Sequence, residues 1–527
     1  MTSIETSPVT TSPGDAPSHS STAEPPSSTG DRLSPEARAL CSGPSTYIDG
    51  RWVEGDGVAF DTTDPSTGRV LGTIAASTVA QTDAAIASSR RAFDGGRWAT
   101  LDGNARGDLI QRLVEGLDAH RDELIELVIA EVGSPLQLAQ SLQVATPIEN
   151  FTWFIDAARR GPRDGLEEAL PLHHTPVTTA GALLREPVGV ISAYSAYNYP
   201  FNLLAWKIGG ALASGCATVL LPSPRATLCT IAFMKIVDEA GFPPGALNMV
   251  VGGPEVGEAL ATSPSVDMIS FTGSPQIGGH VMALGAPTIK KVVLELGGKS
   301  PNIVLPSADP DPTVAPSILR FCRNAGQGCG ATTRTFVHRD SYDRYAEAMA
   351  AGMAALKVGD PRGSDIDVGP LISAEHRDRV QAYVDRAVSD GATVLTGGGR
   401  PDGLAEGFYF EPTLIGGVSN DAEIAQEELF GPVGVIQPYD DVDHVVQLAN
   451  DTRFGLNANV WGRTTEAMDV ARRLRSGTVT INGGGGMRPD VPWGGYGQSG
   501  VGREMGEEGF REFFEVKHVQ WPVDGQP

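Results

Sequence analysis

Short apolar runs bounded by glycine and proline, most of them followed by stretches with helical spacing, recur along most of this chain of 527 residues. In the first half they fall at 188–193, 217–221, 246–251, 268–271 and 291–296. Runs this short and this continuously apolar predict strands buried on both faces, and their alternation with helical patterns predicts βαβ units in a parallel sheet. Ahead of them lie short β-rich runs from Tyr47 and two helical patterns, over 81–92 and 105–132, the second rich in Leu and Ile. A second series follows Ser300, with strands predicted at 335–338, 392–396, 433–439, 458–461 and 478–482. Two sheets imply two lobes and a cleft between them, where ligand sites commonly sit. The fold class is α/β, with two doubly wound, Rossmann-like α/β domains. A polar stretch over 161–182 interrupts the first, and the segment 513–523 is again strand-like. Neither has an obvious sheet of its own, and together they are the candidate for a small third β element.

Residues 1–44 break this texture, because Ser, Thr, Pro and Gly dominate them. Such a composition buries too little apolar surface to offset the entropy of ordering and predicts a disordered tail. With 64 acidic against 40 basic residues, the net charge of -24 repels phosphate backbones and anionic lipid, so neither nucleic acid nor a membrane surface is expected as a partner. No uncharged apolar stretch is long enough to span a bilayer, and the N-terminus lacks the basic-then-apolar order of a secretory signal, which predicts a cytoplasmic location. The five cysteines, at 41, 216, 229, 322 and 329, are odd in number and lack CxxC or Cys/His spacing. They point to neither a disulfide framework nor a metal site and leave room for a free catalytic thiol.

In the stretch FCRNAGQGCGATTR, only Cys329 sits between glycines, Gly328 and Gly330, which leave a thiol sterically open. A buried structural cysteine is the commoner explanation of such a fragment taken alone. In LELGGKSP, Glu295 closes an apolar run just before a Gly-Gly turn, a placement that can desolvate a carboxylate into a general base of raised pKa. An ordinary capping or salt-bridged glutamate fits that fragment as well.

Taken in order, the two stretches resemble the general-base and nucleophile signatures of the aldehyde dehydrogenase superfamily, at 329 − 295 = 34 residues apart, the spacing of its hydrolytic members. REPVGVISAYSAYNYPFNLLAWKIGGAL resembles the family's strand, turn and helix bearing the catalytic asparagine, here Asn198. FTGSPQIG, EELFGPV and PWGGYGQSGVGREMG extend the likeness from Tyr47 to near the C-terminus. The resemblance implies the aldehyde dehydrogenase fold: a dinucleotide-binding domain over 45–160 and 186–296, a catalytic domain over 297–500, and an oligomerisation element over 161–185 and 505–527, building a homodimer or homotetramer. It implies oxidation of a small-molecule aldehyde to a carboxylic acid. Cys329 would be the nucleophile and Glu295 the base that hydrolyses the thioester, while Asn198 steadies the oxyanion. Members that pass the acyl group to coenzyme A generally lack the glutamate, which favours water as acceptor.

The same likeness assigns coenzyme contacts to Ser195, Tyr197, Lys207, Ser223, Gly257 and Phe271, and further to Gly273, Ser274 and Ile277. Glu295, Leu296, Gly297, Glu428 and Phe430 complete that set, and Lys207 also joins the catalytic group. Tyr199, Trp206, Met487 and Trp493 match channel-lining positions and imply an apolar or aromatic aldehyde, with simple core packing the competing explanation for Trp206. Asn482, Glu504 and Glu428 are candidates to support the reacting groups, and Arg488 and Asp490 either bind a polar substrate tail or face solvent. Two departures stand out. Where the family usually shows Lys-Pro-Ser-Glu, this chain has Leu221, Pro222, Ser223, Pro224 and then Arg225. The carboxylate that would repel a 2′-phosphate is gone, so the expected coenzyme is NAD with NADP as the open alternative. Gly497 replaces a usual lysine outside the covalent chemistry. Two rivals survive on paper: a non-catalytic relative that keeps the fold, and a cysteine hydrolase, which would ordinarily recruit a histidine base.

Overall fold

Strands buried on both faces organise the first half. A computed structural model, which describes residues 32–160, 167–174, 176–484 and 487–523, sets β1 (Val190–Ser195), β2 (Ala217–Pro222), β3 (Leu247–Met249), β4 (Met268–Thr272) and β5 (Lys291–Glu295) parallel in one sheet. Every residue of β1 and β2 is buried, as their unbroken apolar texture demands. Between the strands run α1 (Pro200–Ser214), α2 (Thr227–Ala240), α3 (Pro254–Thr262) and α4 (Pro275–Gly285). The spatial order is β5-β4-β1-β2-β3, so the chain steps outward from β1, then returns to the other side of β1 for β4. That reversal is a topological switch point, and a crevice opens there beyond the carboxyl ends of the strands.

Helix α1 is buried at all fifteen positions, which is why its sequence is apolar around the whole circumference. A Cβ on Gly209 would run into the ring of Phe154, and one on Gly210 into that of Phe513. Glycine at these positions lets the neighbouring segments press onto the helix and fixes where its N-terminus, next to Asn198, sits.

The second sheet contains β6 (Pro301–Val304), β7 (Arg334–His338), β8 (Thr393–Thr396), β9 (Thr413–Gly416), β10 (Val433–Tyr439), β11 (Asn457–Trp461) and β12 (Thr478–Ile481). Its order is β8-β9-β10-β7-β6-β11-β12, parallel except at the edge strand β8. Helix α5 (Asp311–Cys322) connects β6 to β7 and delivers the chain toward Cys329. Each sheet carries apolar clusters of its own. A short strand from the C-terminal motif, β13 (Gly500–Val501), crosses to the first sheet and pairs antiparallel with β5, setting Gly500 against Glu295.

The structure departs from the pattern-based expectations in several places. The helix expected over 105–132 is two, Gly103–Ala119 and Arg121–Val132, parted at His120, whose φ of -102° and ψ of 22° leave the helical range. Apolar spacing continues across the break and does not reveal it. Part of the tail expected to run to residue 44 is folded: Pro35–Cys41 is a helix capped by the Ser34 side chain, and it buries Ala37, Leu40 and Cys41. Ser34 followed by Pro35 was the available signal, outweighed by the composition around it. Residues 1–31 of that tail lie outside the described residues. Strand β6 escapes the periodicity because it opens on proline, which a strand accepts at its first residue. Strand β9, only four residues long, also goes unread. Strands Glu167–His173, Thr179–Pro187 and Phe514–Pro522 form one antiparallel sheet with Thr179–Pro187 in the middle; residues 161–166 lie outside the described residues.

Candidate active site

The Gly-Gly turn after β5 makes the site possible. A Cβ on Gly297 would collide with the Glu428 carboxylate, and one on Gly298 with the carbonyl oxygen of Cys329. Without side chains there, the loops bearing Glu428 and Cys329 close against the end of β5. The Gly298 N–H also donates to Glu428 Oε1 at 3.0 Å.

Cys329 arrives on a strained turn. Asn324, Ala325 and Gly326 are all left-handed, with φ of 53°, 53° and 73°, a conformation that costs non-glycine residues free energy and persists only when its surroundings enforce it. Here they do. Asn324 Nδ2 donates to the Asn198 carbonyl at 2.9 Å, and its Oδ1 accepts from Ser134 Oγ at 2.9 Å. The Gln327 side chain donates to the carbonyls of Asn324 (3.1 Å) and Pro370 (3.3 Å), while its Oε1 accepts from the Ile372 N–H (2.9 Å) and the Tyr197 hydroxyl (3.3 Å).

Asn198 sits in the link from β1 to α1, buried yet on the cavity wall. Its Nδ2 donates to the Gln327 carbonyl at 3.0 Å, two residues before Cys329, and keeps a second N–H. Its own carbonyl is held by Gln143 Nε2 at 2.9 Å, and Gln143 also donates to Ser134 Oγ at 2.8 Å. Gln143, Ser134, Asn324 and Gln327 thus form the frame that orients nucleophile and amide. Gln143 lies in a π-helical stretch, Ala139–Ala145, a distortion frequent at functional sites. Sequence reasoning missed Ser134 and Gln143, which no local pattern distinguishes.

The Cys329 thiol is half-buried and lines a cavity of about 1520 Å³. Burial first, then the charges of Glu295 and Glu428, push it above its ordinary value, while the backbone N–H groups of Gly330 and Cys329 pull the other way. Beside it, the rings of Trp206 and Trp493 stand 5.8 Å apart at 44°. A Cβ on Gly330 would come within 2.9 Å of the Trp493 ring. Tyr199, Met487 and Trp493 line the same cavity, with Trp206. Arg488 and Asp490 are paired with each other at 2.6 Å on the surface.

Glu295 ends β5 but does not reach the cavity wall. It is buried, and neither carboxylate oxygen has a hydrogen-bond partner among the described residues. Burial, then Glu504, raise its pKa well above the ordinary carboxylate value, against the opposing pull of Lys207 and Arg503. Lys207, expected against the coenzyme and in the catalytic group, is wholly buried and donates to Glu504 Oε1 at 2.7 Å and Ser270 Oγ at 3.2 Å. The reason is that α1 has no exposed face, so its one lysine must pair inside the core. Asn482 bonds both backbone groups of Gly462 at 2.9 Å and braces a loop rather than the reacting groups.

The crevice at the switch point belongs to the same cavity. Tyr197, Gly273, Ser274, Leu296 and Gly297 line it, together with Glu428 and Phe430. Ser195, Ser223, Gly257, Phe271 and Ile277 do not; Ser223 caps a short turn and Ile277 is exposed. Glu428 is raised to about 7, chiefly by burial. Phe430 is left-handed (φ 60°), and its carbonyl accepts from His376 Nε2 at 2.7 Å. Burial holds His376 down to about 4, so it stays neutral and serves as donor. These residues fit a dinucleotide on the structure's own terms. A Cβ on Gly273 would come 2.5 Å from the Phe271 ring, the α4 N-terminus opens onto the cavity at Ser274, Pro275 and Gln276, and a helix start is a ready phosphate site.

Comparison with known proteins agrees. The model of the aldehyde dehydrogenase family matches residues 52–519. A 3-succinoylsemialdehyde-pyridine dehydrogenase from a Pseudomonas species is 39% identical over 478 residues, covering 90% of this chain and 97% of the relative. Betaine aldehyde dehydrogenase from Bacillus subtilis (strain 168) is 37% identical over 479 residues, covering 90% and 96%. The NAD+ complex of an aldehyde dehydrogenase from Bacillus cereus superimposes with a TM-score of 0.89 at 35% identity, covering 94% of this chain and 100% of that one.

Proposed function

The chain belongs to the aldehyde dehydrogenase family, and from that premise we propose that it oxidises an aldehyde to a carboxylic acid with NAD+, using Cys329 as nucleophile and water as acyl acceptor. The observation that carries this reading is the single cavity whose wall includes both Cys329 with Asn198 and the loops at the carboxyl ends of the parallel strands. NAD+ bound in that crevice supplies the hydride acceptor. The remaining work falls to the chain's own groups. The sulfur adds to the aldehyde carbon as its S–H bond breaks, the proton passing to solvent water. The free N–H of the Asn198 amide and the backbone N–H of Cys329 receive the oxyanion. The positive end of α1, which begins at Pro200, adds to that stabilisation. Once the adduct has become a thioester, Glu295, freed of competing hydrogen bonds, turns from its buried position to take a proton from water and releases the acid. Glu428 and Phe430 hold the reactive end of the coenzyme, and Gly273 and Ser274 its phosphates.

The deciding assay follows absorbance of the reduced coenzyme with aliphatic and aromatic aldehydes, NAD+ and NADP+ in parallel. Turnover that requires oxidised coenzyme is expected; coenzyme binding without turnover of any aldehyde would leave only a non-catalytic binder. Replacing Asn198 by alanine is expected to lower kcat by roughly 100- to 1,000-fold with NAD+ affinity preserved. Steady-state kinetics showing a loss below tenfold would remove Asn198 from the oxyanion site.

No helix among the described residues is long and apolar enough to cross a membrane, in keeping with a cytoplasmic assignment. The strand Phe514–Pro522 is an edge of its sheet and exposes Val516, Val519 and Trp521. An unpaired apolar edge of this kind invites pairing with a second copy, which supports a homodimer or homotetramer.

A further inference from the structure

Arg320, in the last turn of helix α5, and Arg323, the residue just past its end, both line the cavity that holds the nucleophile. Cations at a helix C-terminus are favourable in themselves, which accounts for their position at the end of α5. It does not account for their turning into a cavity without a carboxylate between them. Arg320 donates to the Gly483 carbonyl at 2.8 Å. Arg323 is half-buried; its backbone N–H donates to the Leu319 carbonyl, and its side chain makes no hydrogen bond or ion pair with the described residues. The two guanidiniums are close enough that Arg323, after burial, lowers the pKa of Arg320, an uncompensated repulsion.

Acidic groups on the same wall do not answer it. Asp311 is paired with Arg344, and Glu427 with Arg453 at 2.6 Å. Asp367 accepts from the Lys357 N–H at 2.9 Å, and Glu428 belongs to the coenzyme end. In a chain with a net charge of -24, this arm of the cavity is therefore locally positive. It is also next to the reacting sulfur. Burial raises the Tyr199 phenol to about 12, with Arg323 pulling it down and Cys329 pushing it up, and all three line the cavity. The Tyr199 hydroxyl lies 3.8 Å from where a Cβ on Gly328 would be. The same cavity also has an apolar and aromatic lining that includes Leu142, Leu203, Trp206 and Trp493.

We propose that the preferred substrate is an aldehyde carrying a carboxylate at its far end, with an apolar body lying along the aromatic wall and the carboxylate received by Arg323 beside Arg320. This rests on the aldehyde oxidation inferred above. A guanidinium presents a forked pair of donors that matches a carboxylate, and that of Arg323 has no acceptor among the described residues. The product would be a dicarboxylate.

Matched pairs test it: para-formylbenzoate against para-tolualdehyde, and ω-oxo-octanoate against octanal. With the unaltered enzyme, kcat/KM is expected to favour the carboxylate member of each pair by roughly 10- to 100-fold, the size of a charge-assisted contact. Arg323→Gln should erase that preference, chiefly through KM, and leave the neutral member within about threefold. Added salt should shrink the ratio within each pair in the unaltered protein, a readout that needs no variant. Equal or better turnover of the neutral aldehydes, a ratio indifferent to salt, or an equal loss on both members in the variant overturns the proposal. If no aldehyde of either kind is oxidised, it is the catalytic reading that fails. Calorimetry with terephthalate and para-toluate then decides the anion site: weaker binding of terephthalate alone in Arg323→Gln upholds it, and unchanged binding removes it.

Discussion

Cys329→Ala is expected to abolish aldehyde oxidation, with a fall on the order of 10,000-fold or more, as for loss of a covalent nucleophile elsewhere. NAD+ affinity should be unchanged, because the crevice at the strand ends is built from other residues. The variant removes a sulfur that is half-buried and not part of the apolar clusters, so thermal unfolding should move little. Alkylation of the unaltered protein by iodoacetamide should rise with pH through a window above the ordinary thiol range, since burial, Glu295 and Glu428 raise the thiol pKa and the thiolate is the reactive form. Residual coenzyme reduction by the alanine variant above about a thousandth of the original rate would mean that another group forms the adduct.

Glu295→Gln should separate the two halves of the reaction. A stoichiometric burst of reduced coenzyme is expected in stopped flow, followed by a steady state slower by roughly 100- to 10,000-fold, the range for loss of a general base. Burial and Glu504 raise the Glu295 pKa, so the resting carboxyl holds its proton to higher pH than an ordinary carboxylate. The base form grows as pH rises, and deacylation should accelerate through a range above that of ordinary carboxylates. In the glutamine variant that limb should flatten. An undiminished steady state, or a pH limb that survives the substitution, would assign water activation to another residue.

Much of this was legible in the sequence, and for identifiable reasons. The parallel strands of the first sheet were readable because burial on both faces forces continuous apolar runs, and Cys329, Glu295 and Asn198 because glycines and turns leave a local imprint. What escaped was non-local. Gln143 reaches Asn198 across the fold through one 2.9 Å hydrogen bond and has no neighbour in sequence that signals it. Lys207 was placed against the coenzyme because only α1's order along the chain was visible; its direction depends on which face meets Ser270 and Glu504. Ser34 and Pro35 marked a helix start, yet a compositional rule averaged over 44 residues submerged them. Arg323 lay in full view within the nucleophile's own motif, but only the cavity shows that its side chain lines the site with no partner among the described residues.

The pairing of Gly500 with Glu295 carries a consequence for biosynthesis. On the ribosome, β5 emerges long before its outer neighbour β13 and waits with one row of backbone groups bare. A nascent chain stopped between residues 329 and 500 has its thiol translated but its base strand unfinished. Such fragments are the ones a chaperone should hold, and proteolysis during translation should concentrate there rather than in the sheet interior.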